Sequence, residues 1–229
     1  MKFLLTNDDG IDAPGLQALT AFAKELGEVV VVAPDGPRSG FSHCATMYES
    51  MELRQVDGNR YACSGTPVDC VRLGLTHLDL KPDWVLSGVN AGANLGVDLY
   101  MSGTAGAARE AAILGMPAIA FSHYHRTDAE INWQAAVSAC ERLFGEYHAK
   151  ALAHGEFWNV NFPDSQFLTR QQVEVVETKP DPSPLTLEYL EQDGNLQYKS
   201  HYHQRPRINF SDVHQCINGA ITVSRISLF

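Results

Sequence analysis

Two adjacent carboxylates, Asp8 and Asp9, followed by Gly10, close a short apolar run over residues 2–6. Neighbouring anions repel, and a fold tolerates them best with a cation between them. Carboxylate oxygens are hard ligands, suited to Mg²⁺ or Mn²⁺ rather than to a thiol-loving metal. The same residues also allow an Asx-type turn, with Asn7 and the aspartates merely capping the next helix. Three later loops carry related chemistry. Ser39 lies in Pro34-Asp35-Gly36-Pro37-Arg38-Ser39-Gly40, and Asn90 and Asn94 punctuate a glycine-rich run over residues 88–96. A side-chain amide offers an oxygen to a metal or an N–H to a phosphate. Ser102-Gly103-Thr104 then opens an alanine-rich stretch, where free backbone N–H groups and two hydroxyls suit either an anion or a plain helix cap. No lysine falls in these loops, which excludes a Walker-type phosphate grip.

The elements that must position these residues follow from periodicity. Residues 2–6 have the length of a buried parallel strand. Pro14 suits a first helical position, Leu16, Leu19, Phe22, Ala23 and Leu26 repeat at helical spacing, and Val29 to Ala33 form a second strand. This βαβ unit predicts a Rossmann-like, doubly wound, mostly parallel α/β sheet, in which ligands bind beyond the carboxyl ends of the strands. No Gly-x-Gly-x-x-Gly follows the first strand, so a dinucleotide is not indicated. Residues 46–63 predict an inserted β-hairpin turning at Asp57-Gly58-Asn59, and Thr66-Pro67 with Asp69 starts a helix running to about His77. Strands are expected at 84–87 and 117–122, and a long helix over 132–154. Beyond Gln172 the chain reads as extended pieces with a hairpin at Asp193-Gly194. The expected division is an α/β catalytic domain over 1–172 and an extended β-rich C-terminal arm over 173–229.

Bulk properties narrow the function classes. A formal charge of −10 argues against long nucleic acids as partners, since basic side chains supply that affinity. The five cysteines form no Cys-x-x-Cys pair and read as reduced, buried thiols of a cytoplasmic protein. No stretch approaches the ~20 apolar residues of a membrane span. The His123-x-His125 and His201-x-His203 pairs lack a nearby cysteine or carboxylate at ligand spacing.

The motifs together resemble the SurE family, stationary-phase survival proteins that act as metal-dependent 5′/3′-nucleotidases. The matching pieces are Asn7-Asp8-Asp9-Gly10 with Ala13-Pro14-Gly15, Ala33-Pro34-Asp35 with Arg38-Ser39-Gly40, Gly65-Thr66-Pro67 with Asp69-Cys70-Val71, Ser87-Gly88-Val89-Asn90-Ala91-Gly92 with Asn94-Leu95-Gly96, and Tyr100-Met101-Ser102-Gly103-Thr104. The resemblance implies one divalent ion per subunit, Mg²⁺ or Mn²⁺, on Asp8, Asp9, Ser39 and Asn90. It further implies a substrate phosphate facing Asn94, Ser102, Gly103 and Thr104, with Asp8 and Asp9 catalytic. The implied reaction is hydrolysis of nucleoside 5′- and 3′-monophosphates to nucleoside and phosphate by a metal-activated water. The family's C-terminal region includes an arm exchanged between subunits, so a homodimer or homotetramer is expected. This chain's version of that region, with Ser211-Asp212-Val213 before Ala220-Ile221-Thr222-Val223, has drifted from the family pattern. Two other functions fit parts of the pattern. A nucleoside hydrolase would want a further aspartate where Thr6 stands, and a nucleotide-binding module would keep the ligands without turnover.

Overall fold

The computed structural model describes residues 1–126, 130–170, 172–199 and 201–229. It opens with β1 (Lys2–Thr6), α1 (Pro14–Lys24) and β2 (Glu28–Pro34), then the hairpin β3 (Leu53–Asp57) and β4 (Arg60–Cys63). Next come α2 (Pro67–Thr76), β5 (Trp84–Ala91), a 3₁₀ turn (Gly96–Tyr100), α3 (Gly103–Ile113), β6 (Ala118–His123), α4 (Trp133–Tyr147) and β7 (Glu156–Phe162). The chain ends through α5 (Ser165–Leu168), β8 (Val175–Glu177), the hairpin β9 (Tyr189–Gln192) and β10 (Asn195–Tyr198), α6 (Asp212–Ile217) and β11 (Ile221–Ser227).

Nine strands form one sheet in the order β3-β4-β2-β1-β5-β6-β7-β11-β8. The central strands from β4 to β7 run parallel, as the apolar runs predict, while β3 and β11 pair antiparallel to β4 and β7. The chain builds outward from β1 through β2 and β4, then returns to the other side of β1 with β5. This reversal opens a crevice beyond the carboxyl ends of β1 and β5.

Alternation along β1 assigns the two faces. Phe3 and Leu5 join Leu16, Leu19 and Phe22 of α1 and Phe144 of α4, and the Phe3 and Phe144 rings meet edge to face at 5.5 Å. Leu4 joins Cys70 and Val71 of α2 and Ala105, Ala107 and Ala108 of α3 on the opposite face. Each large apolar side chain buried here contributes about 1.5–3 kcal/mol. The alanines of α3 give little transfer energy but let that helix approach the sheet closely. The helix α2 has the expected start: Thr66 Oγ1 accepts from Asp69 N, and the Asp69 carboxylate accepts from Thr66 N.

Several boundaries differ from the sequence expectation for physical reasons. Residues 46–52 are loop rather than strand, because Asp69 takes hydrogen bonds from both the backbone N and the hydroxyl of Thr46. The helix α4 stops at Tyr147 because the chain must turn back to feed β7, held there by Lys150 N on Tyr147 O and Gly155 N on Ala112 O. Residues 173–229 are not a single extended arm. Both β8 and β11 belong to the main sheet, with Ile221 and Val223 in its core, and among the described residues only the hairpin β9-β10 forms a separate sheet. A cut after Phe167 would therefore strip β11 from β7. That truncation is expected to abolish cooperative unfolding in circular dichroism melts, whereas deletion of residues 187–199 is expected to keep a single cooperative transition.

Candidate active site

Asn7 makes the turn that ends β1: its Nδ2 donates to Gly10 O (2.9 Å) and its Oδ1 accepts from Gly10 N (3.2 Å). The aspartates do not cap the next helix, whose N-cap is Ala13 with no side-chain cap. Asp8 and Asp9 are left for other work. Asp8 is 4% exposed, and no lysine, arginine or histidine among the described residues pairs with either carboxylate.

Three other segments close on this strand end. The loop after β2 crosses over it, with Ile11 N donating to Pro34 O (2.8 Å) and Arg38 N to Asp8 O (2.7 Å), and Ser39, the next residue, is exposed. From β5, Ala91 N donates to Asp9 Oδ2 (3.2 Å), and Asn90 Nδ2 donates to Gly92 O (2.7 Å). That bond orients the Asn90 amide with its oxygen as the uncommitted atom. From α3, the Thr104 hydroxyl donates to Asp8 Oδ1. A Cβ on Gly103 would lie 2.9 Å from Asp8 Cβ, so only glycine lets the helix start come this close.

The electrostatics follow from the geometry. Burial pushes Asp8 up to about 6, opposed by the Thr104 hydroxyl and reinforced by the charge of Asp9. Burial also raises Asp9, opposed by the Ala91 N–H. Both groups thus lack the compensation that buried anions need. Two hard carboxylates without a counter-charge, beside an oriented amide oxygen and a serine hydroxyl, are a donor set that fits a divalent cation.

The predicted phosphate residues separate on inspection. Ser102 is the N-cap of α3, its Oγ accepting from Ala105 N (3.0 Å). Thr104 is fully buried and is spent on Asp8 rather than on capping. Asn94 is set back towards β6 and β7, where its Nδ2 donates to Ser122 Oγ (2.7 Å). The predicted histidine pairs are engaged elsewhere: His123 with Tyr124 O, His125 with Arg126 O, His201 with Glu188 and His203 with Tyr124.

A supporting shell lies behind these residues, and its Asn159-x-Asn161-x-Pro163 part is a segment that resembles the family pattern while its contacts to Asn94 are not legible in sequence. Asn94 N donates to Asn161 Oδ1 (2.8 Å), and Asn94 O accepts from Asn159 Nδ2 (2.9 Å) and Asn161 Nδ2 (3.2 Å). Asn159 and Asn161 are two polar residues on one face of a core strand. That spacing was the available signal, because buried amides require partners. Behind the 3₁₀ turn, Asp98 O accepts from Met101 N and Ser102 N while the Asp98 carboxylate pairs with Arg205, whose side chain is 1% exposed. Gly96 N donates to Asp212 Oδ2 (2.8 Å), and Tyr202 OH to Ala93 O (3.2 Å).

The family model described as survival protein SurE matches residues 3–180. The chain belongs to the SurE family. A Synechocystis protein named provisionally as a 5′-nucleotidase is 42% identical over 226 residues, covering 99% of each chain. A protein named 5′-nucleotidase SurE from Geobacter is 45% identical over 165 residues, covering 72% of this chain and 66% of its own length. The crystal structure of the SurE protein from Aquifex aeolicus superposes with a TM-score of 0.85 at 33% identity, covering 100% of this chain and 94% of that one.

Two measurements test the electrostatics of this SurE site. The folded pKa of Asp8 lies above that of an unfolded carboxylate, so its ionised form opposes folding. That cost is absent below about pH 4 and grows as pH rises through about 6. Asp8→Asn is expected to raise the stability of metal-free protein by about 1–3 kcal/mol at pH 8, with the gain vanishing near pH 4. Equal melting temperatures at pH 8 would remove the account of Asp8 as an uncompensated buried charge. Separately, Arg205→Met leaves Asp98 buried without its partner and is expected to cost about 3–5 kcal/mol in denaturant unfolding. Adding Asp98→Asn to that variant should restore part of the loss.

Proposed function

We propose that this SurE protein hydrolyses nucleoside 5′- and 3′-monophosphates to nucleoside and phosphate with one divalent cation, Mg²⁺ or Mn²⁺, per subunit. The observation that carries the proposal is buried Asp8 beside half-buried Asp9, neither with a cationic partner among the described residues, at the carboxyl edge of the sheet where the Ala91 N–H and the Thr104 hydroxyl meet them. Asp8, Asp9, Asn90 and the hydroxyl of Ser39 would hold the cation. When bound, it supplies charge neutralisation at the phosphoryl oxygens and acidifies water.

The chain's own residues do the remaining work. Phosphoryl transfer depends chiefly on positioning and electrostatics. The start of α3 presents backbone N–H groups and the positive end of a helix dipole to the phosphate. Gly103 keeps that helix end open to approach, and Ser102, by capping at Ala105, holds the turn in shape. Thr104 orients Asp8 and favours its ionised form. An ionised Asp8 or Asp9 is placed to accept the proton of the attacking water. Asn94, fixed by three backbone contacts to β7, would offer its remaining amide hydrogen to the phosphate from the far side.

Two further parts belong to the same proposal. The hairpin β9-β10, with Leu187, Leu190 and Leu196 exposed, is assigned as the contact between subunits of a homodimer or homotetramer. Its deletion should lower the mass seen by light scattering. A cytoplasmic location suits the five free thiols, four of them buried, and no helix among the described residues is long and apolar enough to cross a membrane.

The deciding assay measures phosphate release from nucleoside 5′- and 3′-monophosphates with Mn²⁺ or Mg²⁺. Release is expected with metal and not after chelation, and free base in place of phosphate would point instead to a nucleoside hydrolase. Thr104→Ala is expected to lower kcat/KM by about ten- to hundredfold, as for a lost hydrogen bond to a charged group. The same change removes an interaction favouring ionised Asp8, so the acidic limb of the pH profile should move to higher pH. A lower melting temperature with unchanged kcat/KM would give Thr104 a structural role only.

A further inference from the structure

Large apolar side chains stand exposed on two loops that are anchored at Asp8. Phe41 is 46% exposed, Tyr100 69% and Met101 48%. They come from two loops that are tied together: Ser42 N donates to Met101 O (3.1 Å), and the Ser42 hydroxyl donates to Tyr100 O. Each loop is also anchored at the site. Arg38 N donates to Asp8 O (2.7 Å), and Gly103 lies against Asp8 Cβ. Phe41 is three residues from the first anchor and Tyr100 three residues from the second. Three residues span at most about 11 Å, so both backbones leave the site's edge close to the points where their loops are anchored to Asp8.

Their exposure is held by structure rather than by looseness. The 3₁₀ turn carrying Tyr100 is fixed by Arg109 Nη2 on Leu99 O (3.0 Å) and by Asp98 O on Met101 N (2.9 Å). The Phe41 loop is fixed by Ser42 and, beyond it, by His43 Nε2 on Glu110 Oε2 (2.7 Å). The bonds that hold these backbones leave the Phe41 and Tyr100 rings outward, at a cost in exposed apolar area. A second requirement bears on the same place. A nucleoside monophosphate whose phosphate sits at Asp8 and Asp9 must put its base somewhere on the rim, and the chain's net charge of −10 offers the base no excess of cations. Aromatic faces serve any base, since every base has a π-face.

We infer that Phe41 and Tyr100 form the base-binding platform of this site, stacking the purine or pyrimidine of the substrate while Asp8, Asp9 and the start of α3 take its phosphate. The inference rests on the hydrolase assignment for the position of the phosphate. Recognition by stacking implies breadth across bases, because every base presents a π-face.

The test compares kcat/KM for adenosine 5′-monophosphate with kcat/KM for glycerol 2-phosphate, which carries the ester without a ring. It uses full-length wild type, Phe41→Ala, Tyr100→Ala and Tyr100→Phe in Mn²⁺. The nucleotide-to-glycerol-phosphate ratio is expected to fall about five- to hundredfold in each alanine variant and to be kept by Tyr100→Phe. Binding of adenosine alone, by calorimetry, should weaken in the alanine variants by a similar factor. An unchanged ratio with unchanged adenosine binding overturns the platform. So does a fall in mass by light scattering with the ratio intact, which would make this face a subunit contact. A wild-type chain that releases no phosphate would end the hydrolase assignment, and the adenosine measurement would still decide the platform.

Discussion

A carboxylate taken out of water must find compensation, and at the end of β1 the fold supplies only part of it. Asp8 receives the Thr104 hydroxyl and faces the positive end of α3, yet its pKa stays raised, because burial and the charge of Asp9 outweigh those bonds. Most of the surrounding structure can be understood as what is needed to hold two such groups together. Glycine at position 103 lets a helix end reach Asp8, the crossover of the 34–40 loop ties the strand end from above, and β5 gives Asp9 one N–H through Ala91. The charge that remains opposes folding, and a cation on the proposed site would relieve it.

That opposition has to be resisted by elements distant in sequence. The 93–102 segment is held by Asn159 and Asn161 of β7, by Asp212 of α6 and by Arg205. None of these touches Asp8. They fix the approach to Ser102, and hence where α3 begins. Because β7 and β11 pair antiparallel at the far side of the sheet, the C-terminal quarter helps set a geometry that the first hundred residues display. Residues 173–229 therefore do two jobs, completing the sheet and bracing the turn, besides contributing a projecting hairpin.

Local chemistry made much of this legible. The parallel strands, the cap at Thr66 and the turn at Asn7 announce themselves through short-range patterns, since strand burial, capping and Asx turns are decided within a few residues. The acidic pair could be singled out for the same reason. Partners across the fold could not. Nothing near Asp98 in sequence points to Arg205, 107 residues away, and Thr104 gives no local sign that its hydroxyl serves Asp8 rather than the helix. Residues 46–52 misled for the converse reason: they have strand-like composition, but a long-range bond from Thr46 to Asp69 decides their shape.

The separate fates of Ser102 and Thr104 show how one turn serves stability and chemistry together. Two hydroxyls flank Gly103, and the helix start needs only one cap. Ser102 takes that role with ordinary N-cap geometry, which frees Thr104 to face inward. Were Thr104 the cap, Asp8 would lose its nearest donor and its ionised form would be more costly still. Were Gly103 any other residue, the helix could not come near enough for either bond to matter. The Ser-Gly-Thr order is thus a division of labour forced by the closeness of a helix end to a buried charge. The cap stabilises the helix, the glycine sets the distance, and the threonine favours the ionised form of the carboxylate.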